Sequence, residues 1–217
     1  MSTKKTENKF KEIYTLLSQY FGPQGWWPGD SPLEIMVGAV LTQNTNWENV
    51  RKAITNLQET GCLSFSALSA LSVEELAQLI KPSGYFNIKA QRLKNLLQMI
   101  TERYEGKLEL LLNDDLATGR EALLSVKGIG PETADSILLY AANHPIFVVD
   151  AYTHRIFSRH HLVPEESDYH SLQEAFHDKL PAQSALYNEY HALIVAVGKD
   201  YCRKNNPRCV QCPLQKV

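Results

Sequence analysis

Leu123-Leu-Ser-Val-Lys-Gly-Ile-Gly-Pro-Glu-Thr-Ala-Asp135 is the stretch on which the fold turns. It reads as the end of one amphipathic helix, a very tight turn, and a second helix opening at Pro131, a residue favoured at the first helical position because its missing N–H would have no partner there anyway. Gly128 and Gly130 let backbone N–H groups come close to a ligand, and Ile129 between them can anchor the turn in the core. The helix opening at Pro131 adds the positive end of its dipole. Such a turn is a seat for an anion, well suited to a DNA phosphate, with Lys127 at its edge to neutralise charge. An ordinary helix–helix turn would use the same residues.

Working outward, apolar residues recur at helical spacing almost throughout, as in Phe10, Ile13, Leu16, Leu17 and Tyr20, and strand signals are weak. The chain is therefore expected to be all-α. Ser31 with Pro32 and Glu34 reads as a capping box, Asn46 precedes another helix, and Ser72 pairs with Glu75 in the same way. Glycine and proline breakers cut the sequence into about ten helices. Ile35-Met-Val-Gly-Ala-Val-Leu41 is apolar on every side and predicts a helix buried all round. Residues 31–139 are expected to form one helical domain, and residues 1–30 with 140–217 a second around the C-terminal cysteines.

The 217 residues carry 44% hydrophobic side chains, ordinary for a packed globule and incompatible with wholesale disorder. The N-terminal segment has no apolar core of a signal peptide, and the longest apolar runs fall far short of the ~18 residues a membrane span needs. A soluble monomer without membrane association is expected, cytoplasmic in a bacterium or archaeon and nuclear in a eukaryote. Lysine and arginine total 22 against 24 acidic residues, so any nucleic-acid surface must be local. Of four cysteines, Cys62 reads as a small apolar residue near a turn. Cys202, Cys209 and Cys212 cluster at the end of the chain and suggest a metal site.

Twenty residues beyond Gly130, Ile146-Phe-Val-Val-Asp150-Ala-Tyr-Thr-His-Arg155 delivers an aspartate to the mouth of a helix. Asp150 suits an N-cap, a catalytic carboxylate, or both. Together the hairpin and this aspartate resemble the helix-hairpin-helix and Gly/Pro-Asp signature of the endonuclease III superfamily of DNA base-excision glycosylases. The resemblance extends from Leu41-Thr-Gln-Asn-Thr-Asn46, similar to the family's DNA-probing turn with Gln43, to the terminal cysteines. It implies a six-helix barrel with a second helical domain made from both chain ends, damaged double-stranded DNA bound across the cleft, and Asp150 as the essential carboxylate.

Within that superfamily, members that also cleave the strand carry a Schiff-base lysine two residues after the second hairpin glycine. Glu132 stands at that position here, and a carboxylate cannot form an imine, so a monofunctional enzyme is expected. Trp26-Trp27-Pro28 and Trp47 resemble the 3-methyladenine DNA glycosylase branch, whose aromatic side chains sandwich the extruded base, and Lys199 matches a pocket lysine of that branch. Core packing of the indoles is the plainer alternative. An alkylated purine is cationic, so stacking on indole adds a cation–π term of ~0.5–2 kcal/mol. Cys202-x6-Cys209-x2-Cys212 matches the first three ligands of the family's iron–sulfur loop, which implies a [4Fe-4S] cluster; the fourth cysteine would fall one residue beyond Val217. Arg203, Lys204 and Arg208 give that loop a basic patch for phosphate. Two other functions fit less well: an endonuclease III-like glycosylase and AP lyase for oxidised pyrimidines, and a helix-hairpin-helix DNA-binding protein without catalysis.

Overall fold

The computed structural model describes residues 2–26 and 29–217, with side chains from Lys9 onward. In chain order the α-helices are α1 (Ser2–Phe21), α2 (Pro32–Leu41), α3 (Trp47–Glu59), α4 (Phe65–Ala70), α5 (Val73–Leu79), α6 (Phe86–Tyr104), α7 (Leu108–Leu112), α8 (Leu116–Leu124), α9 (Pro131–Tyr140), α10 (Ala151–Arg159), α11 (Tyr169–His177) and α12 (Ser184–Asp200). Short 3-10 turns cover Lys81–Ser83 and Cys209–Gln211, and no strand occurs among the described residues. The fold is all-α. Among the described residues it has twelve α-helices against the about ten expected, because α4 and α7 are too short to show a period of their own. No helix among the described residues is long and apolar enough to cross a membrane.

The chain divides into two compact units, one of Met1–Trp27 with Asn143–Val217 and one of Pro28–Ala142. In the second, α2 is the central element: every residue from Glu34 to Leu41 is buried, and α3, α6 and α9 pack around it. Its start departs from the expected capping box. Ser31 accepts from the Glu34 N–H, as expected, but the Glu34 carboxylate turns to the N–H of Asp30 at 3.4 Å and to Gln58 Nε2 at 3.3 Å. With Gln58 on α3 offering a tertiary donor, the carboxylate does not close back on its own cap. Ser72 and Glu75 do form the full reciprocal box at the start of α5.

The hairpin helix α9 is tied to α8 by a buried ion pair. Asp135 is fully buried, and Arg120 reaches both its oxygens, Nε to Oδ1 at 2.7 Å and Nη2 to Oδ2 at 3.2 Å. This planar two-bond geometry offsets the desolvation of both charges.

The other unit is organised on an aromatic cluster. Phe147 stacks on Phe176 with ring centroids 3.7 Å apart, and Phe10, Phe157 and Tyr190 close around them. The stretch Ile146–Val149 is buried and lies outside any helix or strand. Side chains of α11 take both backbone groups of residue 147: Gln173 Nε2 donates to the Phe147 carbonyl at 2.7 Å, and the Phe147 N–H donates to His177 Nε2 at 3.0 Å. A buried backbone group left unmatched would cost about 1–3 kcal/mol.

Arg120→Ala, which leaves the Asp135 charge buried without its guanidinium, is expected to cost about 3–5 kcal/mol in urea unfolding, and Arg120→Met with Asp135→Leu to recover most of that loss.

Candidate functional site

The hairpin is built as its sequence requires. Gly128 has φ +99°, which only glycine adopts at low cost. A Cβ there would also run into the side chain of Arg92, with Nε at 2.8 Å. Ile129 is 5% exposed and pins the turn to the core. Gly130, at φ −97°, is the N-cap of α9 and has open space at its Cβ position. Lys127 and Gly130 are exposed, and Glu132 is exposed in the first turn of α9.

Gln43, just past the end of α2, and Arg92 and Asn95 of α6 support this turn. Gln43 Nε2 donates to the Gly128 carbonyl at 3.2 Å and to Thr133 Oγ1 at 2.9 Å. Arg92 donates to Gln43 Oε1, and Asn95 Nδ2 donates to the Lys127 carbonyl at 3.0 Å. Gln43 is thus bound into a network within its own unit. Behind it, Lys89 is 1% exposed and donates to the carbonyls of Leu41 (2.8 Å) and Ser83 (2.7 Å), holding the end of α2 two residues before Gln43. Burial, with a contribution from nearby Arg92, pushes its ammonium down to about 8.

In the other unit Asp150 is the N-cap of α10. Its Oδ1 accepts from the Thr153 N–H at 2.7 Å and from Thr153 Oγ1 at 2.9 Å, and the box is closed by the Asp150 N–H on Thr153 Oγ1 at 3.5 Å. Its Oδ2 faces His191 Nε2 of α12 at 3.6 Å, an ion-pair separation longer than a direct hydrogen bond. Burial raises the carboxyl, but His191 and the Thr153 bonds outweigh it and hold Asp150 below the ordinary carboxylate value. A helix N-terminus also favours the anion.

Lys199 of α12 places its ammonium 5.9 Å from the centre of the half-buried Trp26 ring. Trp47 is the first residue of α3 in the Pro28–Ala142 unit, and Trp27 lies outside the described residues. Arg155, also on α10, lays its guanidinium 4.9 Å from the centre of the Tyr152 ring and donates to the carbonyls of Cys202 (2.7 Å) and Gly198 (3.3 Å). The Tyr152 ring occupies the space where a Cβ on residue 198 would stand.

The three terminal cysteines differ in exposure. Cys202 is buried, Cys212 half-buried and Cys209 exposed. Burial pushes the Cys212 thiol up, and Cys202 and Cys209 add to the effect, so the three are near one another. Yet among the described residues no three His, Cys, Asp or Glu side chains meet in a way that could hold a metal ion. The loop is held by arginines instead: Arg159 donates to the carbonyls of Arg203 (2.7 Å) and Lys204 (3.0 Å) and to Cys202 Sγ at 3.5 Å. Arg203, Lys204 and Arg208 are all exposed on this loop.

Sequence reasoning missed His191, Arg92, Thr133 and Lys89. A histidine opening the apolar run Ala192–Val197 was a visible signal for the first; the others become legible only when α6 is seen beside the hairpin.

The HhH-GPD superfamily base excision DNA repair protein family matches residues 37–182. A candidate DNA repair glycosylase of Methanocaldococcus jannaschii is 45% identical over 97% of both chains. Endonuclease III of Thermotoga maritima is 31% identical over 85% of this chain and 81% of its own. Among solved structures, the H. pylori 3-methyladenine DNA glycosylase bound to 1,N6-ethenoadenine superposes with a TM-score of 0.74 at 30% identity, covering 89% of this chain and 97% of that one.

Two expectations follow from the hairpin and its support. Gly128→Ala should cost about 1–3 kcal/mol of folding stability through positive φ and the Arg92 clash, whereas Gly130→Ala should stay within ~0.5 kcal/mol; chemical denaturation of the pair checks the contrast. Because the Lys89 ammonium is depressed in the fold, the unfolded chain binds more protons between pH ~8 and ~10.5, so stability contributed at this position rises with pH across that window. The melting temperature of the unmodified protein should therefore gain on that of Lys89→Met as pH increases from 8 towards 10.5.

Proposed function

We infer, from the fact that this chain belongs to the HhH-GPD superfamily of base excision DNA repair proteins, that it is a monofunctional DNA glycosylase hydrolysing the N-glycosidic bond of alkylated purines such as 3-methyladenine in double-stranded DNA. One observation carries the hydrolytic reading: Asp150 is buried at the mouth of α10 and yet held ionised. As the bond to an alkylated purine breaks, positive charge develops at C1′ of the sugar, and a fixed carboxylate stabilises it. The leaving base is already cationic, so no strong general acid is required. Oδ1 is committed to the cap, which leaves Oδ2 to meet that charge or to accept a proton from the attacking water.

The exposed Glu132 at the Schiff-base position argues for hydrolysis without strand cleavage. The base class is supported by the Trp26 face, which already attracts the Lys199 ammonium and offers the same attraction to a cationic purine. The 30% identity to the H. pylori 3-methyladenine enzyme points the same way. Lys127, Gly128, Ile129 and Gly130 serve as the phosphate seat, Gln43 supports it from behind, and Arg203, Lys204 and Arg208 add backbone charge. A second reading, a lyase for oxidised pyrimidines, is favoured by the 31% identity to the Thermotoga endonuclease III.

Chromatography of bases released from methylated DNA tests the assignment. The unmodified protein should release 3-methyladenine, Asp150→Asn should be slower by on the order of 10²–10³ while still binding the DNA, and borohydride should trap no adduct on abasic DNA. Near-normal turnover by Asp150→Asn removes the assignment. A strong adduct, with release of oxidised pyrimidines instead, installs the second reading.

A further inference from the structure

We propose that His191 is the positioning residue that keeps Asp150 ionised inside the fold, so that it sets the acid limit of base excision. The proposal rests on the reading of Asp150 given above. α10 and α12 pack directly on one another, and the contact places a side chain that is 7% exposed against a carboxylate that is 12% exposed. The two carboxylate oxygens divide their partners: Oδ1 is taken by Thr153, and Oδ2 is turned to His191. Ala192, Leu193, Ile194 and Val195, which follow His191 on α12, are all buried. An imidazole at the head of this run serves packing less well than an aliphatic side chain would, and its ring nitrogen is aimed at the one oxygen the cap does not use.

The other groups around the pair do not supply this charge. On α10, Tyr152 is a phenol pushed up by burial and further by the Asp150 charge itself, and Arg155 spends its guanidinium on the Gly198 and Cys202 carbonyls. α1, the other helix packed on α12, meets it through Phe10 and Tyr14 against Tyr190. The favourable charge on Asp150 therefore comes across the α10–α12 contact. Burial penalises the carboxylate, and an opposite charge at this separation offsets that penalty by an amount equivalent to about 1–3 pH units.

The sign follows directly. With the imidazolium present, protons are driven onto Asp150 only at low pH; without it, protonation occurs at higher pH, and the acid side of the excision profile moves up with it. His191→Gln keeps a polar side chain and removes the charge. Carbon NMR of protein labelled at the aspartate carboxyls, with the Asp150 signal identified by its absence in Asp150→Asn, should show the Asp150 midpoint rising by about 1–3 pH units in His191→Gln. Single-turnover excision on methylated DNA should show its acid limb displaced by the same amount, with rates above that limb close to those of the unmodified protein. His191→Asn, a second variant that removes the same charge, should raise the Asp150 midpoint in the same direction. An unmoved midpoint in either variant, once shown to be folded, overturns the proposal. The NMR reading requires no turnover: full activity of Asp150→Asn would end the glycosylase assignment, while an unmoved Asp150 midpoint would end the role given to His191 alone.

Discussion

A carboxylate taken out of water loses hydration worth several kcal/mol, and it either picks up a proton or finds partners to replace the water. Much of the unit that holds Asp150 is arranged around the second outcome. The buried stretch Ile146–Val149 carries the chain through an aromatic core and stops at the N-terminus of α10, where the first N–H groups and the helix dipole already favour an anion. Thr153 then closes the cap, and α12 brings His191 to the remaining oxygen. The cap and the proposed chemistry make the same demand here, a carboxylate kept ionised at the start of α10.

The hairpin in the other unit answers a different problem, how to hold a turn rigid while leaving its outer face open. Its backbone is gripped from behind, by Gln43 on the Gly128 carbonyl and Asn95 on the Lys127 carbonyl. Arg92 fills the volume a side chain on residue 128 would need. Lys89 fixes the end of α2 and so the origin of the Gln43 side chain. The exposed Lys127 and Gly130 are thereby presented on a braced scaffold; under the proposed function a phosphate would meet a seat that need not reorganise, which lowers the entropy lost on binding.

Local chemistry was legible in the sequence wherever it was decided by neighbours in the chain. The Ser72–Glu75 box, the Asn46 cap, the all-round burial of α2 and the turn at Gly128 follow from residues within six positions of each other. Glu34 broke the expectation because a donor from α3 competed for it. His191 lies forty-one positions from Asp150, and Arg92 thirty-six from Gly128; no spacing rule connects either pair, since the register between packed helices is set by the whole interface. The cysteine loop divides in the same way: its spacing matches a ligand set and is read within the chain, whereas the contacts of Arg155 and Arg159 that hold the loop come from a distant helix.

The buried stretch before Asp150 is held by Gln173 and His177, four residues apart on one face of α11, and what they hold is the backbone of residue 147. The bond to a main-chain group is indifferent to the side chain that group carries. As such a sequence drifts, position 147 is free to exchange one large apolar ring or branched side chain for another within the limits of the core. Positions 173 and 177 have no such latitude, because neither can change its donor or acceptor without stranding a carbonyl or an N–H in a dry interior. The path that brings the carboxylate to its place is thus inherited through two polar residues of α11 that hold a main-chain group three positions before it.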